Sequence, residues 1–114
     1  MDYFIADVFF NNRIESAVNK LLPELEEIYK DIHRNPELSM QEFRTGKIAA
    51  DYLTKYQYEV STDVGITGVV GLMKNGEGPT AMLRADMDAL PIAEATGLPY
   101  SSPHKTLKKG KSPL

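Results

Sequence analysis

The sequence predicts an α/β fold in which two amphipathic helices precede about three short strands. Three observations carry this expectation. Apolar residues recur every three or four positions from Ile14 to Ile32, a second run keeps that spacing from Met40 to Tyr56, and short apolar segments separated by Gly/Asn/Pro clusters follow.

In the first run, Ile14, Val18, Leu21, Leu22, Leu25, Ile28, Tyr29 and Ile32 describe one helical stripe. Pro23 interrupts it. A proline costs about 3 kcal/mol inside a helix but suits a first turn, so the stripe predicts either a kink or a fresh start near Leu22, with Glu24, Glu26 and Glu27 in that turn. Pro36 disfavours the α conformation at Asn35, which sets the end of the helix.

The second run opens on SMQEF, where Ser39 and Glu42 have the spacing of a capping box. Met40, Phe43, Ala49, Tyr52, Leu53 and Tyr56 then mark a helix that runs to about Tyr56. After it the pattern changes to YEVST, Val69 to Met73, and Ala81 to Met87, which are read as strands. NGEGP, between the last two, reads as a hairpin or tight loop. IAEATGLPY reads as a short helical turn and loop.

The 114 residues suffice for one domain or part of one. Hydrophobic content of 42% with four Phe and six Tyr argues for a folded chain. The absence of cysteine excludes disulfides, thiolate metal ligands and a thiol nucleophile. The opening MDYFIADVFF carries two acids and no basic leader, and no apolar run reaches the roughly 18 residues of a membrane span, so a cytoplasmic location is the default expectation.

The net charge of −3 is unevenly spread. No acid follows Glu94, while Lys105, Lys108, Lys109 and Lys111 supply four of the 13 cationic residues. Residues 103–114 are expected to form a divergent, disordered basic tail. The tail lacks aromatic residues and amphipathic spacing, so solvation is favoured over contact with nucleic acid or membrane.

The sharpest local feature is LRADMDALP, in which Asp86 and Asp88 stand two residues apart. On a strand both carboxylates share a face, and at a strand's end they could hold a divalent metal or orient a general base. The competing reading is one turn cap and one solvated acid. His33, beside Arg34, Asn35 and Pro36, reads as a cation at a helix end, since the only other histidine is His104 in the tail. The glycine-rich runs match neither a dinucleotide fingerprint nor a P-loop.

Three blocks together resemble one family: DIHRNPELSMQEFRT (Asp31 to Thr45), VGITGVVGLMKNGEGPTAMLRADMDALPI (Val64 to Ile92) and EATGLPYSS (Glu94 to Ser102). They are similar to the start of the metal-dependent amidohydrolases of the aminoacylase/carboxypeptidase superfamily, which includes hippurate, N-acyl-amino-acid and auxin-conjugate hydrolases. The resemblance covers about Leu22 to Ser102. It implies the N-terminal part of an α/β catalytic domain that holds two divalent metals (Zn, Mn or Co) and cleaves the amide bond of an N-acyl amino acid. In that family a metal-bridging water attacks the carbonyl and a glutamate acts as general base. Asp88 matches the acid that supports a metal ligand through a hydrogen bond. Asp86 falls where more distant relatives carry a metal-binding histidine.

The sequence departs from the family after LPYSS. Relatives continue into H-A-C-G-H-D, later followed by the general-base glutamate and further ligands, whereas this chain reads PHKTLKKGKSPL. His104 does not restore the motif. The expectation is a truncated or frameshifted chain, residues 1–102 forming the catalytic-domain part, that is inactive alone because two carboxylates cannot supply a dinuclear ligand set. The competing expectation is an interaction module that pairs with a full-length relative or a complementary chain through an exposed sheet edge.

Overall fold

A computed structural model describes residues 2–103, with side chains from Phe10 onward. The order is helix α1 (Asp2–Arg34), helix α2 (Phe43–Lys55), strand β1 (Glu59–Val64) and strand β2 (Gly68–Leu72). The expectation for the basic tail lies, beyond Pro103, outside the described residues, as does His104.

The first helix is longer than its stripe suggested. It begins well before Ile14 and carries Pro23 in its interior, with no fresh start at Leu22. Glu24, Glu26 and Glu27 therefore do not occupy a first turn. Glu26 and Glu27 instead flank Lys30 at 3.4 and 3.2 Å, and the hydrogen bond to Glu27 first, then its charge, raises the lysine's pKa. Glu24 reaches across to Lys55 of α2. The helix ends at Arg34, as Pro36 requires, and the Asn35 side chain caps it by donating to the Asp31 carbonyl at 2.9 Å.

The capping box does not form. Glu42 is the residue that starts α2, yet no side chain caps the helix from that position. The α2 amides are met from farther away: the Glu37 carboxylate accepts Arg44 N–H at 3.0 Å, Thr45 N–H at 2.7 Å and the Thr45 hydroxyl at 2.8 Å. An anion there satisfies donors that the helix cannot pair internally and meets its positive end.

β1 and β2 pair antiparallel in the register Glu59↔Leu72, Val60↔Gly71, Ser61↔Val70 and Val64↔Gly68, with an irregularity between Ser61 and Val64. The hairpin expected across NGEGP is thus formed one segment earlier. Its turn is strained: Ile66, a β-branched residue, has a φ of 97°.

α2 packs on this hairpin through small residues. A Cβ at Gly46 would lie 2.9 Å from the Thr67 carbonyl oxygen, and one at Gly71 would lie 3.0 Å from Leu53 Cδ1. At Gly46 the neighbour is backbone, so the approach there requires glycine, whereas at Gly71 the Leu53 side chain would have to give way. Ala50, Thr45 and Thr67 are buried in the contact.

The third expected strand is absent. Ala81 to Met87 has no ladder, and Met82 and Leu83 are 86% and 100% exposed. One alternate set, Ala81, Leu83, Ala85 and Met87, is apolar while the other carries Arg84 and Asp86, the pattern of a strand covered on one side, and no neighbouring strand among the described residues supplies that cover. The segment meets the rest of the chain at its end, where Leu38 and Ala89 form an isolated parallel bridge. IAEATGLPY forms turns and no helix. Among the described residues no helix is long and apolar enough to cross a membrane.

Candidate functional site

LRADMDALP lies mostly exposed and outside any strand, so the expected convergence of two carboxylates on one strand face is not realised. Asp86 turns back to Arg84, whose Nη2 donates to Oδ1 at 2.7 Å. Both side chains are exposed, which makes this a weak pair. Asp88 is exposed and makes no hydrogen bond or ion pair with the described residues. Among the described residues neither aspartate joins a group of metal-ligating side chains.

The next residue, however, is anchored. Ala89 N–H donates to the Glu37 carbonyl oxygen at 2.7 Å. Glu37 therefore serves two elements, its backbone holding the end of the aspartate segment and its carboxylate holding the start of α2. Sequence reasoning missed this residue. Its partners lie seven and eight positions ahead, beyond the local spacing of any capping motif.

His33 has the helix-end position expected of it, and it also has a partner that the sequence did not suggest. Its Nε2 lies 3.0 Å from Oε1 of Glu94, 61 residues away. The same carboxylate accepts the Thr96 hydroxyl and, through Oε2, the Ser102 N–H at 2.7 Å. These bonds, the Thr96 hydroxyl first, hold the Glu94 carboxyl down at about 2.

A second buried carboxylate orders the α2–hairpin contact. Glu42 Oε2 accepts the Thr67 hydroxyl at 2.6 Å, and this bond lowers its pKa against the opposing effect of burial. A cleft of about 210 Å³ lies beside it, lined by residues that include Phe43, Lys47, Asp51, Asp63 and Thr67. Lys47 and Asp51 are paired at 2.6 Å, so the cleft offers no unmatched charge from that pair.

The donor set for two divalent ions does not assemble from these residues. Among the described residues no three His, Asp or Glu side chains come together as a candidate ion site. A dinuclear centre needs several converging ligands, and one ion-paired and one solitary aspartate do not fit it.

No family model matches the chain. Individual proteins do. It is 50% identical over 80 residues to a hippurate hydrolase of Campylobacter jejuni, an alignment covering 69% of this chain and 21% of that protein. It is 40% identical over 92 residues to thermostable carboxypeptidase 2 of Saccharolobus solfataricus, covering 79% and 23%. The structure superposes on the crystal structure of the Bacillus subtilis YXEP protein, a dinuclear metal-binding peptidase of the M20 family. The TM-score is 0.69 at 36% identity, over 77% of this chain and 25% of that one. The chain thus spans between a fifth and a quarter of the length of these relatives. Identity at this level across most of the described residues, together with the shared arrangement of two helices and an antiparallel hairpin, assigns this chain to the metal-dependent amidohydrolase and carboxypeptidase superfamily.

Proposed function

We propose that residues 1–102 are the catalytic-domain part of an amidohydrolase acting on N-acyl amino acids or related conjugates, and that this chain alone does not turn such substrates over. The likeness to a dinuclear metal-binding peptidase at 36% identity carries the reading, and the kinship with a hippurate hydrolase points to the acyl-amino-acid class. Inactivity alone is supported by the site: Asp86 is bound to Arg84, and among the described residues no group of three metal-ligating side chains forms.

In this reading Asp88 is a positioning residue. Its exposed carboxylate is the group left to support a ligand contributed from beyond residues 2–103, and Asp86 borders the same site. Zn, Mn or Co is the ion class expected of the complete site. The test is direct: the purified chain is assayed on hippurate and N-acetyl amino acids with each ion added, and metal binding is followed by calorimetry. We expect no turnover above buffer and no stoichiometric binding. Robust turnover overturns the reading.

One observation favours a second reading, an interaction module. Met82, Leu83, Val70 and Leu72 leave apolar surface on the unpaired segment and on β2, as would a sheet that is completed by another chain. Co-purification with a complementary chain carrying the rest of the domain, with activity restored, supports this reading. A monomer that ignores such a chain removes it.

A further inference from the structure

Residues 89–102 form a strap that travels back along the end of α1. Ala89 is held at Glu37 and Leu38, Glu94 at His33, and Tyr100 at Tyr29 and His33. As the strap advances along the chain, its partners step backward from Leu38 and Glu37, just past α1, to His33 and Tyr29 on the helix. The Tyr100 ring meets His33 edge-on at 5.4 Å and Tyr29 at 5.9 Å, and Tyr29 in turn lies 5.8 Å from His33. Rings at these separations and tilts attract through their quadrupoles as well as through burial.

Glu94 is the hub of this strap. Its Oε1 meets His33 and the Thr96 hydroxyl, while Oε2 takes the Ser102 amide, so one carboxylate closes residues 94–102 into a loop and fastens that loop to the helix. The side chain is only 13% exposed. A carboxylate withdrawn this far from solvent is stable because donors occupy both of its oxygens.

Asp88 stands one residue before the strap's first anchor, and its side chain makes no hydrogen bond or ion pair with the described residues. A single backbone hydrogen bond at Ala89 would let the segment pivot about that point. A second anchor five residues on removes the pivot. We propose that the Glu94–His33 latch is a positioning device that fixes the strap and, through Ala89, sets where Asp88 is presented. The role assigned to Asp88 rests on the proposed amidohydrolase function, whereas the latch itself is measured without reference to catalysis.

The test is residue-resolved amide exchange and NMR on the full 114-residue chain, comparing the native protein with Glu94→Gln, His33→Gln and the double variant. Glu94→Gln keeps the shape but replaces one acceptor oxygen with a donor. Exchange at Ser102 and Ala89 is expected to quicken about tenfold in each single variant, in keeping with loss of one charge-assisted hydrogen bond. The double variant should add little, because both changes open the same latch. Glu94→Asp, which retains the carboxylate, should recover part of the protection, and the His33 ring resonances should shift in Glu94→Gln. Amides of the hairpin, such as Val70, should be unchanged. Unchanged exchange at Ala89 in Glu94→Gln overturns the proposal, as does an equal rise in the hairpin, which would signal general unfolding. Because the readout is structural, turnover by the isolated chain would overturn the proposed function and leave the latch standing.

Discussion

The Thr67 hydroxyl donates to Glu42 Oε2 at 2.6 Å, joining the residue that starts α2 to the one that ends the hairpin turn. Both are buried, and Glu42 is a carboxylate in a place where a charge is costly without donors. This bond lets the anion remain beneath the helix and locks the turn against α2.

Thr67→Val keeps the shape and removes the donor. It should destabilise the chain by about 1–3 kcal/mol at neutral pH, the cost of leaving a buried acceptor unmatched, as measured by urea denaturation. The effect should depend on pH. Glu42 has a folded-state pKa below its ordinary 4.5, so its stabilisation is full above that value and fades as pH falls through the folded pKa. The gap between native protein and variant should therefore narrow in acid. A gap that stays constant from pH 7 to pH 3 contradicts the assignment.

Glu37 and Ser39 make a contrasting pair at the start of α2. Glu37 accepts two helix amides and a hydroxyl, while Ser39 sits in the capping position suggested by the sequence and caps nothing. Glu37→Ala should cost about 1–2 kcal/mol, the range of a lost helix cap, and Ser39→Ala should stay within about 0.5 kcal/mol of the native protein. Denaturation curves for the two variants decide between the local motif and the distant carboxylate.

The contrast shows what the sequence could and could not convey. Helical periodicity placed α1 and α2 because the spacing of apolar residues is a local signal, and Pro36 marked an end because its steric effect acts on its own neighbour. Interactions between distant residues were invisible: Glu37 with Thr45, Glu42 with Thr67, and His33 with Glu94 all depend on the fold. Ala81 to Met87 failed for another reason. Its strand pattern is real, but a strand needs neighbours, and the described residues provide none. For the aspartates, resemblance to a family indicated a role, while their geometry here shows one held by Arg84 and the other without a side-chain partner among the described residues.

Glu94 should titrate near pH 2. The Thr96 hydroxyl, His33 and the Ser102 amide all favour its anion, so a carboxyl-carbon NMR titration should find its midpoint well below the ordinary 4.5. Thr96→Val and His33→Gln should each move the midpoint upward. By linkage, the stability that Glu94 contributes is complete above about pH 4.5 and is lost as pH falls toward 2. A native midpoint at the ordinary value would show that the strap is not closed in solution.

Gly46→Ala tests the closeness of α2 and the hairpin, because two effects of opposite sign compete there. Inside a helix, alanine is favoured over glycine by about 1 kcal/mol. At this site the new methyl would lie 2.9 Å from the Thr67 carbonyl oxygen, a backbone atom that cannot swing aside as a side chain could. Overpacking of that kind costs about 1–3 kcal/mol, and the Glu42–Thr67 bond stiffens the atom that would have to move. The clash should prevail, giving a net loss in urea denaturation, and combining Gly46→Ala with Thr67→Val should cost less than the two losses added, because freeing Thr67 lets the turn retreat. A stabilised Gly46→Ala variant would mean that the helix and hairpin stand farther apart than the close contact at Thr67 requires.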